Sequence, residues 1–370
     1  MNLTVWLRTF LLFILVLASS AQAHKNVNEA LLPFEAKSII DFHAHVAGLG
    51  YGDSGCFIND EMRHNFRFRF YLMAMGTSLK ELEREGDKVI FKKISAAVAA
   101  SKVVDKTVIL SLDGVINEQG ELDKAKTQIY VPNEYVYEQT KLYPNLLYAA
   151  SINPYRTDAI ERLVQAKAQG AVLVKWIPSI MYIDPADPAI TPFYEKLVEL
   201  NMPLLTHTGM EKSFTHAKDE LADPRKLALP LSLGVTVIAA HIATTGHSHG
   251  EENFERILPM FTQYPNLYGD ISSLTQINKL GYVKKVLAHP ELKGRLIYGT
   301  DWPLQFFPLV SPWYHLDELK ISEAFAISKI KNQWDRDVAL KIGIGLDTEA
   351  FTLGSKLFGG DAQLNYTAKN

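Results

Sequence analysis

Residues 39–48 read IIDFHAHVAG. An apolar run closes on two histidines, His43 and His45, that stand one residue apart. In a strand, alternate side chains share a face, so Asp41, His43 and His45 are expected to project from the same side. An H-x-H pair has two readings on its own: metal ligands, or polar residues that happen to end a strand. The choice between them depends on what the rest of the chain places beside it.

Seven further apolar runs follow the first (38–46), at roughly 107–112, 146–152, 171–177, 203–208, 235–242, 266–271 and 295–300. Amphipathic stretches at 133–142, 158–169, 192–200, 251–261 and 280–287 lie between them. Strands that alternate with helical patterns indicate parallel β/α construction. Eight such runs predict an α/β fold of the (β/α)8 TIM-barrel type. No low-complexity linker interrupts residues 24–370, which read as a single domain. Two segments exceed ordinary loop length: 48–77, carrying Arg63, His64, Arg67 and Arg69 among aromatics, and the tail after Asp301.

The chain has 370 residues, 47% hydrophobic and 21% charged, enough apolar material for a large core. With 38 basic against 41 acidic residues it shows no basic excess of the kind that nucleic-acid binding asks for. Residues 1–25, MNLTVWLRTFLLFILVLASSAQAHK, combine an early Arg8, a short apolar centre and small residues ending Ala21-Gln22-Ala23. That is the layout of a secretory signal over 1–23, with export to a periplasmic or extracellular space expected. The apolar centre is too short to stay as a membrane span. Cleavage would expose His24, whose position at the junction needs no functional explanation. Cys56 is the sole cysteine, so no intrachain disulfide can form, and it reads as a small packing residue.

Polar residues recur where the other apolar runs end. LLTHTG places His207, VIAAHIATTG places His241, YGTDWP places Asp301 and AVLVKWIPS places Lys175. In a barrel these C-terminal strand ends converge on one face, where active sites are built. Imidazoles and a carboxylate suit zinc and neighbouring divalent metals. Singly, each histidine could be a satisfied core residue and Asp301 a helix cap. Buried together without an ion, they would leave a costly set of unpaired polar groups. A second H-x-H, His247 and His249, lies in a glycine-rich loop and reads as surface or loop-mouth residues.

DFHAH, INPY, GAVLVKWIPS, LLTHTG, AAHIATTG and YGTDWP, in that order, resemble the amidohydrolase superfamily. The likeness is greatest to its amidohydrolase-related branch, which includes aminocarboxymuconate-semialdehyde decarboxylase. It implies a distorted barrel with a catalytic divalent metal, zinc being the first expectation, one ion favoured and two allowed. By the same resemblance His43, His45, His207 and Asp301 are expected as ligands, with Asp301 also moving the proton. His241 is expected to orient water or substrate, or to bind a second ion. Lys175 corresponds to a lysine that bridges two metals in binuclear relatives, and could instead hold a substrate carboxylate. Asp41 is a candidate to orient the ligands from behind. Arg63, His64, Arg67 and Trp302 are candidates for the substrate pocket. The expected activity is hydrolysis of an amide, ester or lactone bond of a small molecule. The alternatives are non-oxidative decarboxylation of a small carboxylic acid, and a non-catalytic binding barrel.

Overall fold

Eight short parallel strands form the centre of the computed structural model, which describes residues 30–367. They are β1 (Ile39–His45), β2 (Val104–Leu110), β3 (Leu146–Ala149), β4 (Val174–Trp176), β5 (Leu204–His207), β6 (Val237–Ala240), β7 (Leu267–Asp270) and β8 (Leu296–Ile297). Each coincides with one of the eight apolar runs. The regular ladders fall into two parallel sheets, β1-β2-β3 and β4-β5-β6-β7-β8. Single bridges span the two seams, Ala150 with Val174 and Ala44 with Trp302. This is a distorted (β/α)8 barrel. The segment 1–23 and His24 lie outside the described residues.

Two apolar layers account for its stability. Ile40, Phe42, Leu110, Leu173, Leu205 and Ile238 fill the barrel interior. A larger layer between strands and surrounding helices includes Ile39, Ala44, Ile109 and Trp334. The last helix, Glu349–Thr367, runs beneath β1 and β8. Its Phe358 ring meets Phe42 edge-on at 5.8 Å, and its Ser355 hydroxyl accepts the Ile40 N–H. No helix among the described residues is long and apolar enough to cross a membrane.

One departure from regularity decides where the first histidines point. Between Asp41 and Ala44 strand β1 carries one more residue than the facing stretch of β2, since Asp41 pairs with Thr107 but Ala44 with Ile109. This is a β-bulge, which resets the alternation of faces. Phe42 lies in the interior layer, whereas Ala44 lies in the outer one. Asp41 is therefore separated from His43 and His45 and faces the helices, where its carboxylate accepts from the Trp334 indole at 2.8 Å. The expectation that all three share a face is corrected on this ground.

The segment 48–77 is not a bare loop. It contains a short strand, Phe57–Ile58, paired with Ile129–Tyr130, and two helices, Asp60–His64 and Phe66–Ala74. Asp87 pins its start by accepting from the Leu49 and Gly50 N–H groups and the Ser54 hydroxyl. The whole insertion leans over the C-terminal ends of the strands, contributing Met62, Phe68 and Met75 to the cavity there.

Candidate metal centre

His43 is fully buried, and its Nδ1 lies 2.5 Å from Asp270 Oδ2. A carboxylate accepts only, so Nδ1 carries the proton and Nε2 presents a lone pair to the barrel mouth. That lone pair faces three groups: His45 Nε2 at 3.0 Å, Lys175 Nζ at 3.0 Å and Asp301 Oδ1 at 3.5 Å. His45 Nε2 is also 3.5 Å from Asp301 Oδ1. Asp301 itself is tied back to β1, its N–H donating to the His43 carbonyl at 2.8 Å.

His241 stacks on His43 with ring centroids 5.2 Å apart. Its Nδ1 meets the Ser272 carbonyl at 3.1 Å, which holds the proton on that nitrogen and again frees Nε2. One potential ligand atom each from His43, His241 and Asp301 falls within 4.8 Å of the others. His207 meets the His241 ring edge-on at 5.2 Å. Its Nδ1 is 3.5 Å from a Glu211 carboxylate oxygen, and its Nε2 is buried without a hydrogen-bond partner.

Burial governs the charge states. It pushes the His43, His45 and His241 imidazoles well below the ordinary histidine value and His207 down to about 4. The neighbouring lysine at 175 reinforces this at His43 and His45. Burial also raises Asp301 to about 7, against the pull of Lys279 and Lys175. The same cause lowers Lys175 and Lys279 to about 8 each, the nearby carboxylates opposing it. Four neutral imidazoles around one carboxylate are in the form that binds a metal.

The donor set fits a divalent ion. Ligands about 2.0–2.2 Å from a metal in tetrahedral or octahedral order stand roughly 2.8–3.6 Å from one another. The 3.0, 3.5 and 3.5 Å separations among His43, His45 and Asp301 lie in that range. The unpartnered nitrogen of His207 at the same cavity needs an acceptor of its lone pair, which an ion or its water would provide.

The backbone is strained where the site is built. His241, Ile242, Ala243, Ser273 and Asp301 all have φ between +51° and +61°. Such values are uncommon outside glycine, least expected of β-branched Ile242, and persist where surrounding structure enforces them. They turn the chain sharply after β6, β7 and β8. Gly299 allows the closest approach, because a Cβ there would stand 2.7 Å from His43 Cβ and 3.2 Å from Asp270 Oδ2.

An open cavity lies above these groups. His45, His207, His241 and Asp301 line it; Lys175 and His43 lie just beneath. Arg63, His64 and Arg67 are not brought to it. Arg63 donates to the Leu49 carbonyl, His64 bonds the Asp60 carbonyl, and Arg67 reaches the Lys212 carbonyl at 2.8 Å, all on the exposed side of the insertion. Trp302 is buried, stacked on Trp334 and donating its indole N–H to Gln333 at 3.0 Å. Those pocket assignments are corrected: charged side chains stay in water, and the indole finds its acceptor among the helices. His247 is exposed in a small hairpin, and His249 is exposed beside Asp223. Sequence reading missed Asp270, Lys279, Gln276 and Glu211. Asp270 alone had a signal, being a polar residue at the end of the seventh apolar run.

The family model described as Amidohydrolase matches residues 40–326. No curated protein matches the sequence. Among solved structures, an uncharacterised TIM-barrel protein from Bordetella bronchiseptica is similar at TM-score 0.54 and 18% identity, over 88% of this chain and 99% of that one. A putative 2-pyrone-4,6-dicarboxylic acid hydrolase from Pseudomonas putida is similar at TM-score 0.50 and 14% identity, over 87% and 97%. At such identities the likeness is one of fold.

Proposed function

The chain belongs to the amidohydrolase family, and from that premise we propose that it is an exported, metal-dependent hydrolase of an amide, ester or lactone bond in a small molecule. The observation that carries the reading is the His43–Asp270 bond of 2.5 Å, which aims a neutral imidazole lone pair at His45 and Asp301. His43, His45, His207 and Asp301 are the proposed ligands of one divalent ion, zinc by preference, with His241 beside them. The ion would supply a Lewis acid and a water acidified towards neutrality.

The chain's own residues supply the rest. Asp301, raised to about 7, can accept a proton near neutral pH and return it to the leaving group. His241, its Nδ1–H held by the Ser272 carbonyl, presents the Nε2 lone pair to the site, where it can accept a hydrogen bond from the attacking water and orient it. Buried Lys175 places a cation beside His43. That cation supports a second reading, in which a substrate carboxylate is held there and lost as carbon dioxide. The export proposal rests on the signal-like layout of residues 1–23.

Metal content of the purified protein, with His43→Ala and Asp301→Ala alongside, tests the core of the proposal. Stoichiometric metal that survives both substitutions would overturn it. Carbon dioxide release from a panel of carboxylic acids, with no hydrolysis of amides, esters or lactones, would select the lyase. A secreted protein that still begins at Met1 would refute cleavage.

A further inference from the structure

The cavity above the proposed metal site has two unlike parts. On one side Leu49, Met62, Phe68, Leu72, Met75 and Leu304 form an apolar chamber under the insertion between β1 and β2. On the other, the turn after β7 presents Gln276 and Lys279. Lys279 is 5% exposed, and its Nζ is bonded to one group, the Ser273 hydroxyl at 2.6 Å. Among the described residues no carboxylate lies within the 4.0 Å of an ion pair with it. Gln276 is 6% exposed, and its buried Nε2 has no hydrogen-bond partner.

A buried ammonium without an ion-pair partner, next to an unused amide donor, is a costly arrangement that a bound anion would relieve. Two carboxylates line the same cavity, and both are engaged elsewhere: Asp301 stands 3.5 Å from the His43 and His45 nitrogens, and Glu211 accepts from the Ser213 N–H at 2.6 Å and stands beside His207. The chamber asks for the opposite chemistry, since its aliphatic and aromatic lining offers little to a polar group.

We propose that the substrate is an amphiphile, an amide or ester whose carboxylate is held by Lys279 and Gln276 and whose apolar arm occupies the chamber under the β1–β2 insertion. The scissile bond then lies between the two, over His45, His241 and Asp301. Hydrolysis adds one water across it: hydroxyl goes to the acyl carbon and a proton to the leaving nitrogen or oxygen. The inference rests on the hydrolase reading for the reaction, but the two-part binding site stands on its own observations.

Calorimetric titration of the metal-loaded, full-length protein with acetate, hexanoate, octanoate and 1-octanol tests it. Affinity is expected to rise about two- to fourfold per methylene, at least fiftyfold from acetate to octanoate. Lys279→Met should weaken octanoate about tenfold or more, and Gln276→Leu about threefold, both leaving 1-octanol unchanged. Leu72→Trp, in the half-buried roof, should weaken octanoate while sparing acetate. Equal affinity along the series would overturn the proposal, as would octanoate binding that is unchanged in Gln276→Leu and in Lys279→Met, or in Gln276→Leu and Lys279→Gln should the methionine variant not fold. Octanoate binding abolished by His43→Ala but indifferent to Lys279 and Gln276 would overturn it too, placing the anion on the metal. If the protein holds no metal yet Lys279-dependent binding persists, the hydrolase reading fails and this site remains.

Discussion

Asp270 and His43, separated by 227 residues in sequence, are joined by the 2.5 Å contact that fixes which nitrogen of His43 is free. Asp270 Oδ1 also accepts the Ser272 N–H at 2.6 Å, so the carboxylate is held on both oxygens. Replacing it with Asn would keep the shape and lose the charge that favours the Nδ1–H form. Asp270→Asn is expected to lower metal affinity about 10- to 100-fold. Competition with a chromophoric chelator measures this, and an unchanged affinity would remove the orienting role.

Gly299 bears on the same pair from below. An added methyl would stand against His43 Cβ at 2.7 Å, and a Cβ cannot swing away as a side-chain tip can. Gly299→Ala should cost about 1–3 kcal/mol of stability and reduce metal occupancy with it. Thermal melts of metal-loaded and chelated protein separate the two effects. A variant with wild-type melting and wild-type metal content would contradict the close packing.

Lys175 and a metal ion compete for one region. The ammonium sits 3.0 Å from the His43 nitrogen proposed as a ligand, and like charges at that range repel. Burial brings Lys175 down to about 8, so in metal-free protein it is charged below that pH and neutral above it. Apparent metal affinity should therefore climb with pH up to about 8 and flatten beyond it. With a single ion, Lys175→Met should bind at least as tightly as wild type at pH 7 and lose the rise near pH 8, keeping the rise at lower pH that deprotonation of Asp301 gives. Loss of one ion from a stoichiometry of two, or carboxylation of Lys175 seen by mass spectrometry, would show a bridging lysine instead.

Cys56 is buried, and desolvation pushes its thiol up to about 12. A raised thiol value means less thiolate at any given pH, and the thiolate is the reactive form. Alkylation of native protein at pH 8 should be at least about 100-fold slower than of unfolded protein and should keep rising with pH beyond 9. Equal labelling rates would show that the loop before Asp87 opens.

Much of the barrel was legible because strand burial leaves an apolar signature and strand ends converge by topology. The eighth strand shows the limit. Its apolar run extends over 295–300, yet only Leu296–Ile297 pair regularly with β7. Beyond them the chain turns to serve β1, with the Tyr298 carbonyl accepting from Phe42 and the Trp302 carbonyl from His45. The histidines proposed as ligands shared the same legibility, each ending an apolar run. The bulge did not, since one extra residue in a strand leaves no mark in composition, and so Asp41 was assigned to the wrong face. FRFRFYLMA was equally opaque. Its period-two alternation suggests a strand, but Phe66–Ala74 is a helix, on which such a pattern scatters arginines and phenylalanines over all sides. Lys279 ends a single 3-10 turn, Ile277–Lys279, too short for any periodicity to report burial.

The carboxylate of Asp41 gathers donors from its own strand and three distant parts of the chain: His43 in β1, Thr107 in β2, Thr300 after β8 and Trp334 in the helix Gln333–Gly343. The last of these is 293 residues away. During synthesis, then, the first strand leaves the ribosome early, but two of the donors its acid is buried against, Thr300 and Trp334, follow only when nearly the whole protein has been made. The histidines two and four residues along are bound to the same timetable. A nascent chain stopped before Trp334 would display both of them without the wall that holds them, so the proposed metal site is complete only when nearly the whole chain has been made.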